Sequence, residues 1–316
     1  MPQIRANGIT LNYDEHGSPC APPLVIINGY SSQMTSWPDD LHEGFAARGF
    51  RVIRFDNRDT GLSHKFDGVL PDIRAVTKAV AEGRKPDVPY TLDDMADDAA
   101  GLLDELGIAS AHIAGASMGG MIAQLVALRH PEKARSLVSI MSTTSDPSLP
   151  RSAPEAQEAL MARPASEDLE TVVAHTLKTR RVIGSPDYPE DEAWLRRHIA
   201  KNYQRSYYPQ GAVRQWAAIM ASPARTERLK KLRTRTLVVH GAADILIRPD
   251  AGRHTAACIP GAELKIIEGW GHNFPRAAIP VLLDAIVPFL NAVDRDRDEA
   301  FARPVTPGCC GSAPGQ

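Results

Sequence analysis

Three residues far apart in a chain of 316, Ser117, Asp244 and His272, each stand in a glycine-containing turn directly after an apolar run. Attack on a carbonyl carbon near neutral pH needs an oxygen nucleophile that can shed its proton, a base to take it, and an anion that holds the base in one tautomer. Serine, histidine and aspartate supply these functions. Ser117 sits at the centre of Gly115-Ala116-Ser117-Met118-Gly119, a G-x-S-x-G pattern whose small residues let a strand and the following helix approach closely around a strained serine. The pentapeptide by itself also occurs as an ordinary turn, so its setting matters. Ile113-Ala114 extends an apolar strand before it, and Met121-Ile122, Leu125-Val126 and Leu128 follow at helical spacing. In that setting the Met118 N–H and the positive end of the helix point at whatever binds beside the serine.

The elements that must carry these turns alternate between strand and helix. Residues 3 to 15 read as an opening β-hairpin with an Asn7-Gly8 turn, placed at a sheet edge. Pro23 to Ile27 is unbroken apolar sequence, as a parallel strand covered on both faces requires. It ends in Asn28-Gly29-Tyr30, and the Tyr30 amide is a second donor candidate opposite Ser117. A helix over about 39 to 48 and a strand over 51 to 55 lead into the charged turn Asp56 to Ser63. There, Asp, Asn and Gly chemistry favours a structural role. Residues 65 to 90 read as irregular, and a helix from Thr91 to about 106 precedes the serine strand. Further strands are expected at 136–141, 235–240 and 263–267, with a last helix over 276–291. Asp244 and His272 follow the second and third of these strands, which brings both to the same sheet edge as Ser117.

Between about 144 and 225 there is no strand pattern, only proline-separated helices near 153–163, 166–180, 190–206 and 211–221. An all-helical excursion between two parallel strands reads as a cap. The resulting division is a core of 1–144 and 226–294, a cap of 145–225 and a flexible tail of 295–316. The expected fold class is α/β, a mostly parallel central sheet flanked by helices with the cap inserted. Trp194, Tyr203, Tyr207, Tyr208, Trp216 and Met220 enrich the cap in apolar surface suited either to a pocket roof or to packing between helices. Asn28, Trp37, Trp216, Met220 and Trp270 are the candidate pocket residues.

Composition narrows the partners. Thirty-six basic and 38 acidic side chains leave a formal charge of −2, which gives no long-range attraction to nucleic acid or an anionic membrane. No apolar run approaches the roughly 20 residues needed to span a bilayer and the start lacks a secretory apolar core, so the expectation is a cytoplasmic protein acting on a small molecule, as monomer or homodimer. Cys20, Cys258, Cys309 and Cys310 have no metal-ligand spacing, and neither a metal nor an organic cofactor is expected.

The order Ser117, Asp244, His272 with strand-G-x-S-x-G-helix, Gly241-x-x-Asp244 and Gly271-His272 resembles the α/β-hydrolase superfamily over essentially residues 3 to 292. Asn28-Gly29, Gln33-Met34-Thr35-Ser36-Trp37, the Phe55 to Ser63 loop and Gly115 to Gly119 are similar to bacterial carboxylesterases close to the aclacinomycin methylesterase type. That resemblance implies Ser117 as nucleophile, His272 as base, Asp244 as its orienting anion, and an oxyanion hole from the Tyr30 and Met118 amides. It implies a serine carboxylesterase working through an acyl-enzyme. Many relatives of this type carry His-Gly where this chain has Asn28-Gly29. Cofactor-free haloperoxidases or perhydrolases and carbon–carbon bond hydrolases share the scaffold and are the alternatives, with a non-enzymatic hydrolase-like binding protein behind them.

Overall fold

Asn7 and Gly8 both take positive φ, 47° and 78°, and turn strand β1 (Gln3–Ala6) into β2 (Ile9–His16). This is the two-residue hairpin that an Asn-Gly pair favours, because both central positions need left-handed backbone. The structure, a computed structural model, describes residues 2–302. Six more strands follow: β3 (Pro23–Ile27), β4 (Arg51–Phe55), β5 (Ala111–Ala116), β6 (Ala134–Ile140), β7 (Thr236–Gly241) and β8 (Glu263–Ile267). They form one sheet in the order β1-β2-β4-β3-β5-β6-β7-β8. Strand β2 pairs antiparallel with both β1 and β4, and β3 through β8 all run parallel to one another.

Eleven α-helices are found among the described residues: α1 (Asp39–Ala47), α2 (Ile73–Ala81), α3 (Leu92–Glu105), α4 (Met118–Arg129), α5 (Pro154–Met161), α6 (Leu169–Ile183), α7 (Glu192–Arg205), α8 (Pro209–Ala221), α9 (Thr226–Leu229), α10 (Pro249–Cys258) and α11 (Ile279–Ala302). Strand β3 shows why the sheet is buried on both sides. Val25 and Ile27 point into a cluster with Met95, Leu102, Ile122 and Val126 from α3 and α4. Leu24 and Ile26 point the other way, against Leu41 and Phe45 of α1 and Leu282, Ile286 and Leu290 of α11. The four helices α5 to α8 lie between β6 and β7 with no intervening strand.

Two expectations change. Helix α2 lies inside the stretch read as irregular: Asp72 caps it by accepting from the Arg74 and Ala75 amides, while only Val76 and Ala79 are buried, too short an apolar face to register between two prolines. Helix α11 continues to Ala302 rather than ending near 291, so the expected tail begins as helix; residues 303–316, with Cys309 and Cys310, lie outside the described residues. The stretch Arg276–Glu299 is also long and apolar enough, by length and composition, to cross a membrane. Its Leu282, Leu283, Ile286, Leu290 and Val293 are instead packed in the core.

Candidate active site

Strand β5 enters α4 through Ser117, whose φ of 56° and ψ of −120° are strained for a residue with a side chain. Close backbone approach explains the glycines around it. A Cβ on Gly115 would lie 2.1 Å from the Gly119 carbonyl oxygen, and one on Gly119 would lie 2.1 Å from that of Ile27. The turn is thereby wedged between its own helix and the end of β3. The Ser117 amide donates to Ile140 O at 3.0 Å, and the Ser142 hydroxyl donates to Ser117 O at 2.8 Å.

Asp244 and His272 reach this turn from the ends of β7 and β8. The Asp244 carboxylate is buried and accepts at Oδ1 from the Leu246 and Ile247 amides, both at 2.9 Å. His272 Nδ1 lies 2.7 Å from Asp244 Oδ2, and His272 Nε2 lies 3.0 Å from Ser117 Oγ. A carboxylate can only accept, so Nδ1 carries the proton and Nε2 is left to accept from the serine hydroxyl. Burial alone would raise the Asp244 carboxyl. The charge of His272 and hydrogen bonds from His240 and His272 outweigh it and hold the group well below the usual carboxylate range. His240, wholly buried on β7, places Nε2 2.8 Å from Ile247 O and 3.4 Å from Asp244 Oδ2. The sequence singled out His272 as the base and gave no sign of this buried histidine as a second partner of the aspartate.

The oxyanion candidates are adjacent. A Cβ on Gly29 would come within 3.5 Å of Ser117 Cβ, which sets the start of the Tyr30 loop beside the serine. Met118 opens α4, where its N–H has no intrahelical partner. Ser31, at φ 54°, donates its amide to Gln215 Oε1 of α8 at 2.8 Å, and Gln215 Nε2 donates to Arg58 O at 2.9 Å. One side chain of α8 thus links this loop to the loop after β4.

The pocket candidates separate. Trp216 stays close, edge-on to Tyr30 with ring centroids 5.7 Å apart, and Met220 is half-buried on the same helix. The other three are structural. Asn28 turns away to donate Nδ2 to Phe55 O at 2.7 Å, bracing the ends of β3 and β4. Trp37 stacks on Phe274 at 4.4 Å within the core. Trp270 is fully buried and donates its indole N–H to Asn273 O at 2.8 Å; a tryptophan next to a histidine turn looks like a pocket wall until its partner is known. The remaining cap aromatics largely pack on each other, as in Trp194 on His198 and Tyr203 on Tyr207.

Sequence reasoning also missed the fastening of α7 and α8 to the turn after β4. Arg205 at the end of α7 reaches Asp56 Oδ2 at 2.7 Å, and Arg214 of α8 grips both oxygens of Asp59 at 2.8 and 2.9 Å. These pairs give the charged turn after β4 the structural role expected of it. Among the described residues no cluster of three or more His, Cys, Asp or Glu side chains could hold a metal ion, and Cys20 and Cys258 are free thiols.

The sheet order, the strained serine at the end of β5 and the aspartate and histidine after the last two strands are those of an α/β hydrolase. Residues 22–275 match the sequence profile of the alpha/beta hydrolase fold, and the chain belongs to that family. It is similar to the rhodomycin D methylesterase DauP of Streptomyces sp. (strain C5), with 28% identity over 303 residues covering 90% of this chain and 95% of that protein. The 2-hydroxymuconate semialdehyde hydrolase of Pseudomonas sp. (strain CF600) is 28% identical over 284 residues, covering 85% and 86%. Among solved structures, the enol-lactonase from Burkholderia xenovorans superposes with a TM-score of 0.68 at 22% identity, covering 92% of this chain and all of that one, a likeness of fold.

Proposed function

We propose that this protein is a serine carboxylesterase that hydrolyses small to medium carboxylic esters through an acyl-enzyme. The observation that carries the reading is the unbroken contact from Asp244 through His272 to Ser117. In the first step Ser117 Oγ attacks the ester carbonyl carbon while His272 Nε2 takes the hydroxyl proton. The carbonyl oxygen, now negative, accepts from the Tyr30 and Met118 amides. Collapse of the tetrahedral intermediate breaks the ester bond, and the imidazolium returns its proton to the departing alcohol. Water, deprotonated by the same histidine, then attacks the acyl-serine and releases the acid. Asp244 holds the tautomer and offsets the imidazolium charge throughout. Residues 145–225 act as the cap over this chemistry, and 1–144 with 226–294 form the catalytic core.

Similarity to a methylesterase over nearly the whole chain makes methyl esters of bulky acids the first natural-type substrates to assay. The experiment pairs them with a p-nitrophenyl ester series from acetate to laurate, using the parent protein and Ser117→Ala. Turnover by the parent with a fall of roughly 10⁴-fold or more in the variant supports the reading. Equal rates in both proteins would remove Ser117 from the mechanism, and activity confined to a diketone or to peroxide with a carboxylic acid would move the protein to another reaction of the same scaffold.

A further inference from the structure

Helix α8 meets the backbone beside the proposed oxyanion donor through Gln215, a wholly buried side chain that belongs to neither the triad nor the pocket candidates. Its Oε1 accepts from the Ser31 amide at 2.8 Å and its Nε2 donates to Arg58 O at 2.9 Å. Turned over, the carboxamide would set donor against donor and acceptor against acceptor, so its two partners fix its orientation.

The two ends of this strut differ in what else holds them. At the far end Arg214, one residue before Gln215, grips Asp59, and Arg58 itself pairs with Asp98. A Cβ on Gly211 would lie 2.1 Å from Asp59 O, so α8 rests directly on the backbone of that turn. The near end has little support of its own. Ser31 takes a φ of 54°, which is strained for a residue with a side chain. From Gly29 to Ser32 the loop closes on itself by a long bond from the Ser32 amide to Gly29 O, 3.3 Å, and by the Ser32 hydroxyl donating to Tyr30 O at 3.2 Å. The Tyr30 amide meets no acceptor among the described residues. Its direction is therefore set by the peptide that follows it, and Gln215 holds that peptide, while Trp216, the next residue of α8, lies edge-on to the Tyr30 ring.

We propose that Gln215 is a positioning residue for ester hydrolysis: from α8 it fixes the Ser31 peptide so that the neighbouring Tyr30 N–H faces the oxygen that becomes negative. The inference rests on the esterase reading above and adds to it a residue that acts through the Tyr30 loop. An oxyanion donor speeds the reaction only by meeting the transition-state oxygen better than the ground-state carbonyl. Loosening its support therefore lowers kcat and leaves substrate binding nearly unchanged. A displacement of about 1 Å in such a group costs on the order of 10²-fold in rate.

The test compares the full-length parent, Gln215→Met and Ser117→Ala on the ester that the parent turns over fastest, and measures inhibition by a trifluoromethyl ketone, whose adduct with the serine carries the same negative oxygen. Methionine keeps the length of the side chain and removes both hydrogen bonds. In Gln215→Met kcat is expected to fall roughly 10- to 100-fold with KM within about threefold of the parent, and ketone affinity to fall in the same proportion. Hydrogen exchange in the parent needs no variant to fold: the Ser31 amide is expected to exchange at least about a hundredfold more slowly than an unstructured amide. A kcat and a ketone affinity both within about twofold of the parent would overturn the proposal, as would an unprotected Ser31 amide. A raised KM with unchanged kcat would also overturn it, by making Gln215 a contact for the substrate. Ester turnover that survives in Ser117→Ala, or a parent that acts on no ester, would bring down the esterase reading and this inference with it. That outcome differs from an active, Ser117-dependent parent matched by Gln215→Met, which refutes the role of Gln215 alone.

Discussion

Two turns at the carboxyl ends of parallel strands on either side of β3 hold their shape by opposite means. The turn after β5 is built from absence: Gly115 and Gly119 leave room for carbonyl oxygens that a methyl group would strike at 2.1 Å, and the strain falls on one residue, Ser117. The turn after β4 is built from charges. Asp56 accepts from the Met34 and Leu62 amides and Arg205, Arg58 pairs with Asp98, and Asp59 holds Arg214 and the Tyr90 hydroxyl. Those partners stand 40 residues away for Asp98 and 149 to 155 for the two cap arginines. Local sterics shape the first turn; long-range ion pairs make the second the anchor of α7 and α8.

That contrast predicts which substitutions separate chemistry from stability. The largest effect is expected from Asp244→Asn. It keeps an acceptor for the Leu246 and Ile247 amides, so the fold survives, but it can donate to His272 and stabilise the wrong tautomer. A fall of about 10⁴-fold in kcat with an unchanged melting temperature is expected. A comparable loss of melting temperature would mean that the site carries the fold as the other turn does. Arg214→Ala should reverse the pattern. It strands the buried Asp59 carboxylate, a loss typically of about 3–5 kcal/mol, visible as a lower urea midpoint. Asp59→Asn combined with Arg214→Leu should recover much of it, because the pair is replaced together. A double variant no more stable than Arg214→Ala would show that packing of the guanidinium, rather than the stranded charge, sets the cost.

The same division explains what the sequence disclosed. The serine turn was legible because its glycines, its strand and its helix are contiguous, and the alternating faces of β3 follow from five consecutive apolar residues. Asp244 and His272 were found by their place after strands. Their actual contacts, and the diversion of Asn28, Trp37 and Trp270 into structural work, depend on what lies across the sheet. Arg205 and Arg214 looked like any cap arginines, since nothing near 205 or 214 in the chain marks Asp56 or Asp59 as their partners. Helix α2 was missed for a related reason: its two buried residues draw their meaning from α8, against which it packs.

A third region tests whether buried charge also limits the protein in acid. His42 is buried on α1, with Nδ1 2.7 Å from Arg54 Nη1 and its ring near His16. Burial first, then the charges of Arg54 and His16, push its pKa down to about 4, with Asp39 and Asp14 opposing. The unfolded chain takes up this proton near pH 6.5, so between about 6.5 and 4 the unfolded state binds more protons and stability falls as pH falls. The term vanishes above 6.5. Between pH 7 and 4.5 the parent is expected to lose roughly 2–3 kcal/mol through this residue. His42→Gln, which still offers Arg54 an acceptor, should lose less over the same window in urea titrations. Parallel slopes for the two proteins would place the acid sensitivity in the carboxylates instead.

The smallest effect is expected where the proposed chemistry depends on backbone alone. Tyr30 contributes its N–H to the reading above, while its ring packs edge-on against Trp216. Burial raises the phenol pKa, against a lesser opposing influence of Arg163, so the hydroxyl stays protonated at working pH and brings no charge to the site. Tyr30→Phe keeps the ring and the amide and removes only that hydroxyl. The expected kcat/KM lies within about twofold of the parent, because a change of 1.36 kcal/mol would be needed for tenfold. A drop of tenfold or more with unchanged KM would show the phenol acting in the transition state. The serine turn would then rely on a side chain as the turn after β4 does, and the division between the two would no longer hold.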